Sequence, residues 1–240
     1  MRLKIRLNSD KEYIALPIHH NYLLQSMLYK NLPKQLANFL HDVGFSYEKR
    51  SFKLFTFSKI QSEHFKISNQ QIIYKAPISI YISSAVNDIT KNWGETFIRK
   101  EYFLLGSNEL FLESIEVITN PDFKDKMTIK TLSPITTYRT FEKDKKYYRY
   151  YSPTETDFQE LIKENLRKKY EVISGEKIPD FPLKIKPIKT RKLLLKYKDF
   201  PIEAYEGTFE INTQPNLFKT VYDAGLGAKN SQGFGMIEVT

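Results

Sequence analysis

One of the four histidines in this 240-residue chain, His41, is the first candidate for chemistry. Imidazole is the side chain whose unperturbed pKa lies near neutrality, which suits transfer of a proton. The other histidines, His19, His20 and His64, form no metal-ligand spacing with carboxylates, and cysteine is absent. These residues therefore predict no metal site and no cofactor. The G-x-S-x-G nucleophile motif is also missing, so the sequence predicts no serine hydrolase. A plainer interpretation is that His41 ends a helix, whose dipole favours an imidazolium.

The C-terminal stretch GLGAKNSQGFGMIEVT holds four of the nine glycines and is a candidate anion-binding segment. Its spacing fits neither a dinucleotide fingerprint nor a P-loop. Glycines let a backbone approach a phosphate, while a lysine, an asparagine and a serine add donors. The residues concerned are Gly225, Gly227, Lys229, Asn230, Ser231, Gly233 and Gly235. The alternative, a helix stop followed by a tight turn, stays open at this point.

A second candidate is the basic stretch LKIKPIKTRKLLLKYKD, in which seven cations occur with no acid between them. A strand face of one charge sign repels itself and indicates an anionic partner such as a nucleic acid. The cations most suited to that contact are Lys184, Lys186, Lys189, Arg191 and Lys192. The alternative is a plain exposed hairpin. Tyrosines in KDKKYYRYY could stack on unpaired bases, although a loop covering a sheet edge explains them equally well.

Bulk composition agrees with a basic globular protein. The formal net charge is +9, hydrophobic residues make up 41% of the chain, and no apolar run is long enough to span a bilayer. The N-terminus alternates charged and apolar residues and lacks the apolar centre of a signal peptide. We therefore expect a cytoplasmic protein that does not bind membranes.

Apolar spacing predicts the same order of elements, β-α-β-β-α-β, on both sides of a linker at Asn120-Pro121-Asp122. In the first half we expect strands over residues 2–7, 53–57, 72–84 and 103–118. We also expect three helices there: one capped by Asn21, one that begins near Pro33, and one over residues 86–100. In the second half we expect strands over 127–137, 183–197, 202–211 and 234–239, a helix capped by Thr154 or Thr156, and a short one over 215–224. The predicted class is α+β, with two ferredoxin-like domains at residues 1–120 and 121–240.

Four segments together resemble one family. They are QSMLYKNLPKQLANFLHDVGF, KLFTFSKI, TIKTLSPITTYR and the terminal GLGAKNSQGFGMIEV. The chain resembles, over essentially its whole length, the CRISPR-associated endoribonucleases that cut repeat transcripts into guide RNAs, members of the RAMP superfamily. This resemblance implies two ferredoxin-like domains that face each other across a cleft.

The resemblance also implies an active site. A tyrosine on the first helix, a histidine at the end of that helical segment and a lysine at the next strand correspond to Tyr29, His41 and Lys53. Lys49 and Arg50 are alternatives for the lysine. Taken alone, Tyr29 would be a helix core aromatic and Lys53 a solvated strand start.

The implied reaction needs no metal: a ribose 2′-OH attacks the adjacent phosphorus, leaving a 2′,3′-cyclic phosphate and a 5′-hydroxyl. His41 would do acid–base work, Lys53 would stabilise the phosphorane, and Tyr29 would transfer or orient a proton. The implied partner is CRISPR repeat RNA, single-stranded or weakly structured, contacted by the second domain. A homodimer and a CRISPR effector complex are further partners that the family allows. The alternative function is a non-catalytic RNA-binding relative or a structural subunit of such a complex.

Overall fold

The computed structural model describes residues 1–142, 145–198 and 200–240 and, for Lys146, the backbone alone. Its first half contains β1 (Arg2–Asn8), β2 (Tyr13–Pro17), α1 (Asn21–Lys30), α2 (Lys34–Asn38), a π-helical turn (Phe39–Val43), β3 (Phe45–Tyr47), β4 (Arg50–Phe52), β5 (Phe55–Phe57), β6 (Gln61–Ser62), β7 (Phe65–Ser68), β8 (Gln71–Lys75), β9 (Ile78–Ser84), α3 (Asn87–Arg99), β10 (Phe103–Leu105) and β11 (Asn108–Ile118).

The second half contains β12 (Lys126–Thr131), β13 (Tyr138–Glu142), β14 (Lys146–Tyr150), α4 (Thr156–Ser174), β15 (Lys184–Tyr197), β16 (Phe200–Asn212), α5 (Pro215–Ala224), a 3₁₀ turn (Asn230–Gln232) and β17 (Ile237–Val239). The predicted hairpin turn at Asp199 lies outside the described residues.

Two main sheets have the strand order of the ferredoxin-like unit. The first runs β10-β11-β1-β9-β5, with β6 beside β9, and the second runs β15-β16-β12-β17. In both, the first strand of the unit lies between its third and fourth strands. This order confirms the predicted α+β class with two ferredoxin-like domains. The exact domain boundary at residue 120 stays a prediction.

Each sheet covers its own apolar core. In β1 the alternate residues Leu3, Ile5 and Leu7 are buried, as a half-covered strand requires. In α3 the apolar residues Ile89, Trp93 and Phe97 recur every four positions and point to the same core. The second core forms around β12, α4, β16 and α5.

Several element ends differ from the sequence-based expectations. Helix α1 begins at Asn21 itself, with His20 in the N-cap position, and α4 begins at Thr156 after Glu155. The strand expected over 72–84 is two strands, β8 and β9, because Pro77 separates them and β8 turns away to pair with β2 and β7. The last strand starts three residues later than expected, after the glycine-rich segment.

Buried polar contacts join the two domains. The guanidinium of Arg2, on β1, is almost fully buried and donates to the carbonyl oxygens of Ile237 (2.7 Å) and Tyr222 (2.7 Å). It also lies 3.6 Å from the centroid of the Tyr222 ring. The hydroxyl of Thr56 donates to the Phe234 carbonyl at 3.0 Å. None of the helices in the described residues is long and apolar enough to cross a membrane.

Candidate active site

The structure brings Tyr29, His41 and Lys53 together. Tyr29 lies in the last turn of α1, His41 in the π-helical turn, and Lys53 between β4 and β5. The rings of Tyr29 and His41 meet edge to face with their centroids 6.2 Å apart. The ammonium of Lys53 donates to the backbone carbonyl of His41 at 3.0 Å. The three groups therefore form one cluster, although 24 residues separate the first from the last in the chain.

His41 has a partner that the sequence reasoning did not assign. Its Nδ1 lies 2.6 Å from Oδ1 of Asp42, while the side chain remains 78% exposed. Because a carboxylate accepts a hydrogen bond but does not donate one, Nδ1 carries a proton. The other nitrogen, Nε2, is thereby the position free to exchange a proton with a bound molecule.

Burial sets the protonation of the other two groups. Removal from water raises the pKa of Tyr29 to about 12, because a buried phenolate is poorly solvated. Tyr29 is therefore a neutral hydrogen-bond donor at physiological pH. Partial burial lowers the pKa of Lys53, and the nearby Asp42 carboxylate opposes that effect. The cluster thus offers one imidazole, one neutral phenol and one cation.

A cavity of about 730 Å³ lies between the two domains, and Lys53 lines it while Tyr29 and His41 lie outside its lining. Segments 50–55 of the first domain form one wall, and segments 137–140, 161–169 and 224–231 of the second domain form the other. Five basic residues line it: Arg50, Lys53, Arg139, Lys169 and Lys229. Within the described residues its acidic lining is Glu164 alone. Such an excess of positive charge in a concave site favours an anionic ligand. Lys49, the other alternative cation, is exposed and outside this lining.

The glycine-rich loop contacts the helix that carries Tyr29. Asn21, Gln25 and Tyr29 are spaced by four residues, so they share one face of α1. The Asn21 amide donates to the carbonyls of Gln232 (3.0 Å) and Gly233 (3.3 Å). The Gln25 amide donates to the Ser231 carbonyl at 2.7 Å and accepts from the hydroxyl of Tyr197. One helix face therefore holds the loop at one end and the candidate cluster at the other.

The glycines of this loop are explained by packing inside the protein. Gly233 has φ of +84°, and a Cβ there would lie 2.5 Å from the ring of Phe57 in the first domain. Gly235 has φ of +75°, and its Cβ would lie 1.9 Å from the Leu226 carbonyl oxygen. Gly225 and Gly227 are buried as well. Direct contact of these glycines with RNA stays a prediction.

Asn230 is also used internally. Its amide nitrogen donates to the carbonyls of Leu226 (3.3 Å) and Phe234 (3.0 Å). Its Oδ1 accepts from the ammonium of Lys169 at 2.6 Å, and Lys169 also donates to the carbonyls of Gly225 (2.7 Å) and Gly227 (3.1 Å). Burial lowers the pKa of Lys169 to about 7. Of the polar loop side chains, Lys229 and Ser231 keep access to the cavity.

The basic strand β15 contacts the helix that carries Tyr29 through Tyr197 at its end, and the charge of the strand is partly neutralised. The expectation of a face of one sign was wrong, because the paired strand β16 brings Glu203, Glu206 and Glu210 beside it. Arg191 pairs with Glu206, and Lys192 pairs with Glu203 at 2.6 Å. Lys184, Lys186 and Lys189 are exposed. Lys189 and Arg191 line a second cavity of about 480 Å³, together with Lys59 and Lys130.

The tyrosine-rich stretch contains the second strand of a β-hairpin instead of a loop. Strands β13 and β14 pair antiparallel, with Tyr138 opposite Tyr150 and Thr140 opposite Tyr148. Lys143 and Asp144 lie outside the described residues. Tyr138 reaches the lining of the 730 Å³ cavity, so this hairpin contributes to the same wall as the glycine-rich loop.

Comparison with known proteins gives the chain a family. The model of "CRISPR associated protein Cas6, C-terminal" matches residues 118–239, and the model of "CRISPR-associated protein Cas6, N-terminal" matches residues 15–116. The chain belongs to the Cas6 family. The suspected relationship to RAMP-superfamily CRISPR proteins is thereby confirmed.

Two curated Cas6 relatives match along the full length. The chain is 30% identical to the CRISPR-associated endoribonuclease Cas6 of Pyrococcus furiosus over 249 residues, covering 100% of this chain and 90% of that one. It is 29% identical to CRISPR-associated endoribonuclease Cas6 1 of Methanocaldococcus jannaschii over 245 residues, covering 99% and 92%.

Solved Cas6 structures share the fold. One described as CRISPR associated protein Cas6 superposes with a TM-score of 0.81 at 29% identity, covering 100% of this chain and 99% of that one. A Cas6-related protein from Pyrococcus furiosus superposes with a TM-score of 0.87 at 24% identity, covering 100% and 98%. The tandem arrangement is therefore that of other Cas6 proteins.

Proposed function

We propose that this protein is a metal-independent endoribonuclease that cuts CRISPR repeat RNA to produce guide RNAs. The observation that carries the proposal is the meeting of Tyr29, His41 and Lys53, of which Lys53 also lines a basic cavity. The two relatives at about 30% identity, each named an endoribonuclease, support it. The proposed substrate implies a cytoplasmic enzyme.

The proposed step is an internal transesterification. Nε2 of His41 takes the proton of the ribose 2′-OH as the bond from O2′ to phosphorus forms. The bond from phosphorus to O5′ breaks, and the neutral phenol of Tyr29 gives its proton to O5′. Lys53 keeps one N–H on the His41 carbonyl and turns the others to the non-bridging oxygens, whose charge grows in the transition state. The products are a 2′,3′-cyclic phosphate and a 5′-hydroxyl.

Cleavage of repeat RNA in the presence of EDTA tests this proposal. We expect the wild type to cut at one position, and we expect no cutting of RNA that carries a 2′-deoxy group at that position. His41→Ala should abolish cutting while RNA binding persists. His64→Ala is the matched control, because His64 is an exposed histidine between β6 and β7 and is not part of the Tyr29–His41–Lys53 cluster.

Two outcomes would overturn the mechanism. A requirement for Mg²⁺ would exclude metal-independent cutting even if repeat RNA is the substrate. Binding of repeat RNA by the wild type with no cutting would favour the alternative, a non-catalytic subunit of a CRISPR effector complex. Light scattering of the protein with and without RNA would test the separate proposal of a homodimer.

A further inference from the structure

The β13–β14 hairpin is an addition to the ferredoxin-like plan, inserted between β12 and α4. Strand alternation places Tyr138, Tyr148 and Tyr150 on one face of it. The ring centroid of Tyr138 lies 5.5 Å from that of Tyr148 and 5.7 Å from that of Tyr150. The opposite face carries a separate pair, Phe141 stacked on Tyr147 at 5.4 Å. The hairpin therefore has two distinct aromatic faces.

The tyrosine face meets the glycine-rich loop at the cavity. The ammonium of Lys229 lies 4.8 Å from the ring centroid of Tyr138 and 5.9 Å from that of Tyr148. Tyr138 and Lys229 both line the 730 Å³ cavity that also includes Lys53. Tyr148 remains 42% exposed, although its ring contacts two fixed neighbours. Tyr148 is therefore an accessible ring beside a cation and an edge-to-face aromatic partner that both line the cavity.

We propose that Tyr148 is a stacking platform for an unpaired nucleobase of the RNA. The inference rests on the proposed function, since it assigns a base-binding position beside the same cavity. Every nucleobase has a π face, and tyrosine rings next to cationic grooves bind single strands by stacking. Tyr138 fixes the ring from one side, and the Lys229 ammonium lies where it can meet a phosphate of the same strand. A cavity lined by five basic residues and Glu164 suits the anionic backbone of that strand.

The experiment measures RNA affinity instead of cutting. Repeat RNAs carrying a single abasic nucleotide, placed at each position in turn, are titrated with wild type, Tyr148→Ala, Tyr148→Phe and Tyr147→Ala. Tyr147 is the matched control, because it is an exposed tyrosine on the other face of the same hairpin. Thermal unfolding of each variant tests for a change in folding.

We expect Tyr148→Ala to bind intact repeat RNA roughly 5- to 150-fold more weakly, the range for loss of one stacked base. Tyr148→Phe should bind like wild type, since the ring is kept, and so should Tyr147→Ala. One abasic position should weaken wild-type binding by a similar factor and leave binding by Tyr148→Ala unchanged. A variant that had merely lost part of its structure would bind every RNA more weakly and would not remove the effect of one abasic position alone.

The proposal is overturned if wild type binds repeat RNA and no abasic position shows this coupling. It is also overturned if Tyr147→Ala loses as much affinity as Tyr148→Ala. Failure of the proposed function looks different, because then wild type binds repeat RNA without cutting it, and the coupling is still measurable. If wild type does not bind repeat RNA at all, both proposals are wrong.

Discussion

Gln25, on the helix that carries Tyr29, donates its side-chain amide to the carbonyl of Ser231 in the glycine-rich loop at 2.7 Å. The same side chain accepts from Tyr197 of the second domain. One amide therefore connects the helix, the loop and strand β15. The loop and the candidate catalytic cluster are therefore both held by helix α1, although they belong to different domains.

We expect Gln25→Leu to destabilise the protein and to slow cutting. The change leaves the Ser231 carbonyl and the Tyr197 hydroxyl without their partner, at a cost of about 1–3 kcal/mol. Urea unfolding and single-turnover cleavage at saturating RNA measure the two effects. Gln35→Leu, the same change at an exposed position of α2, is the control. If Gln25→Leu is less stable but cuts at the wild-type rate, the Gln25 hydrogen bonds stabilise the fold and do not contribute to cutting.

We expect Lys53→Ala to lower kcat by about 10²- to 10³-fold, the effect of removing one donor to a developing oxyanion. The RNA affinity should change much less, because Arg50, Arg139 and Lys229 also line the cavity. Lys49→Ala is the control, since Lys49 is exposed and lies outside the cavity lining. If Lys49→Ala loses the activity and Lys53→Ala keeps it, the catalytic cation has been assigned to the wrong lysine.

We expect Tyr29→Phe to cut about 10²-fold more slowly at every pH between 6 and 10. Burial raises the pKa of Tyr29 to about 12, so the phenol stays protonated throughout this range. The variant and the wild type should therefore give parallel pH–rate profiles. If the phenolate were the base, the wild-type rate would climb with pH toward 12, and the variant would lose that climb. Such a difference would reverse the roles assigned to Tyr29 and His41.

We expect the stability of the wild type to rise with pH between 7 and 10 relative to Lys169→Met. Burial lowers the pKa of Lys169 to about 7 from the usual lysine value of 10.5, so in this range the unfolded chain binds a proton that the folded chain lacks. Stability then rises by at most about 1.4 kcal/mol per pH unit. Below pH 7 both states are protonated, and the difference between the proteins becomes constant.

Urea unfolding of both proteins at several pH values measures this effect. The three acceptors around Lys169 favour the ammonium and oppose the effect of burial. A stability difference that is flat from pH 7 to 10 would mean that these hydrogen bonds keep Lys169 charged, contrary to the prediction.

Local pattern was sufficient for elements whose residues face a single core. The spacing of Ile89, Trp93 and Phe97 indicated α3 correctly, and alternation in residues 2–7 indicated β1. Asn21 was assigned to a helix cap because it stands directly before the apolar spacing that predicts α1. In the structure its amide bonds to carbonyls more than 200 residues away.

The candidate site residues were predicted from the resemblance. The buried and ion-paired residues that surround them were not predicted. Lys169 lies in the charged run RKKYE, which suggests an exposed helix face, yet it is buried under the glycine-rich loop. Likewise the acids that neutralise Arg191 and Lys192 come from the neighbouring strand. Such partners depend on how distant segments pack, and periodicity along one segment does not contain that information. The four-residue spacing of Asn21, Gln25 and Tyr29 was a visible signal that could have indicated a shared role.

The buried contact of Arg2 with Ile237 and Tyr222 has a practical consequence for dissecting this protein. Either half, expressed alone, would lose half of a charged contact: β1 would present an unpaired guanidinium, and the other half would present two bare carbonyl oxygens and an uncovered aromatic ring. Each half would thus expose to water a surface that the intact chain buries, and such exposed apolar surface favours aggregation. Isolated halves are therefore unsuitable reagents for assigning RNA contacts to one domain, and point variants of the intact chain should be used instead.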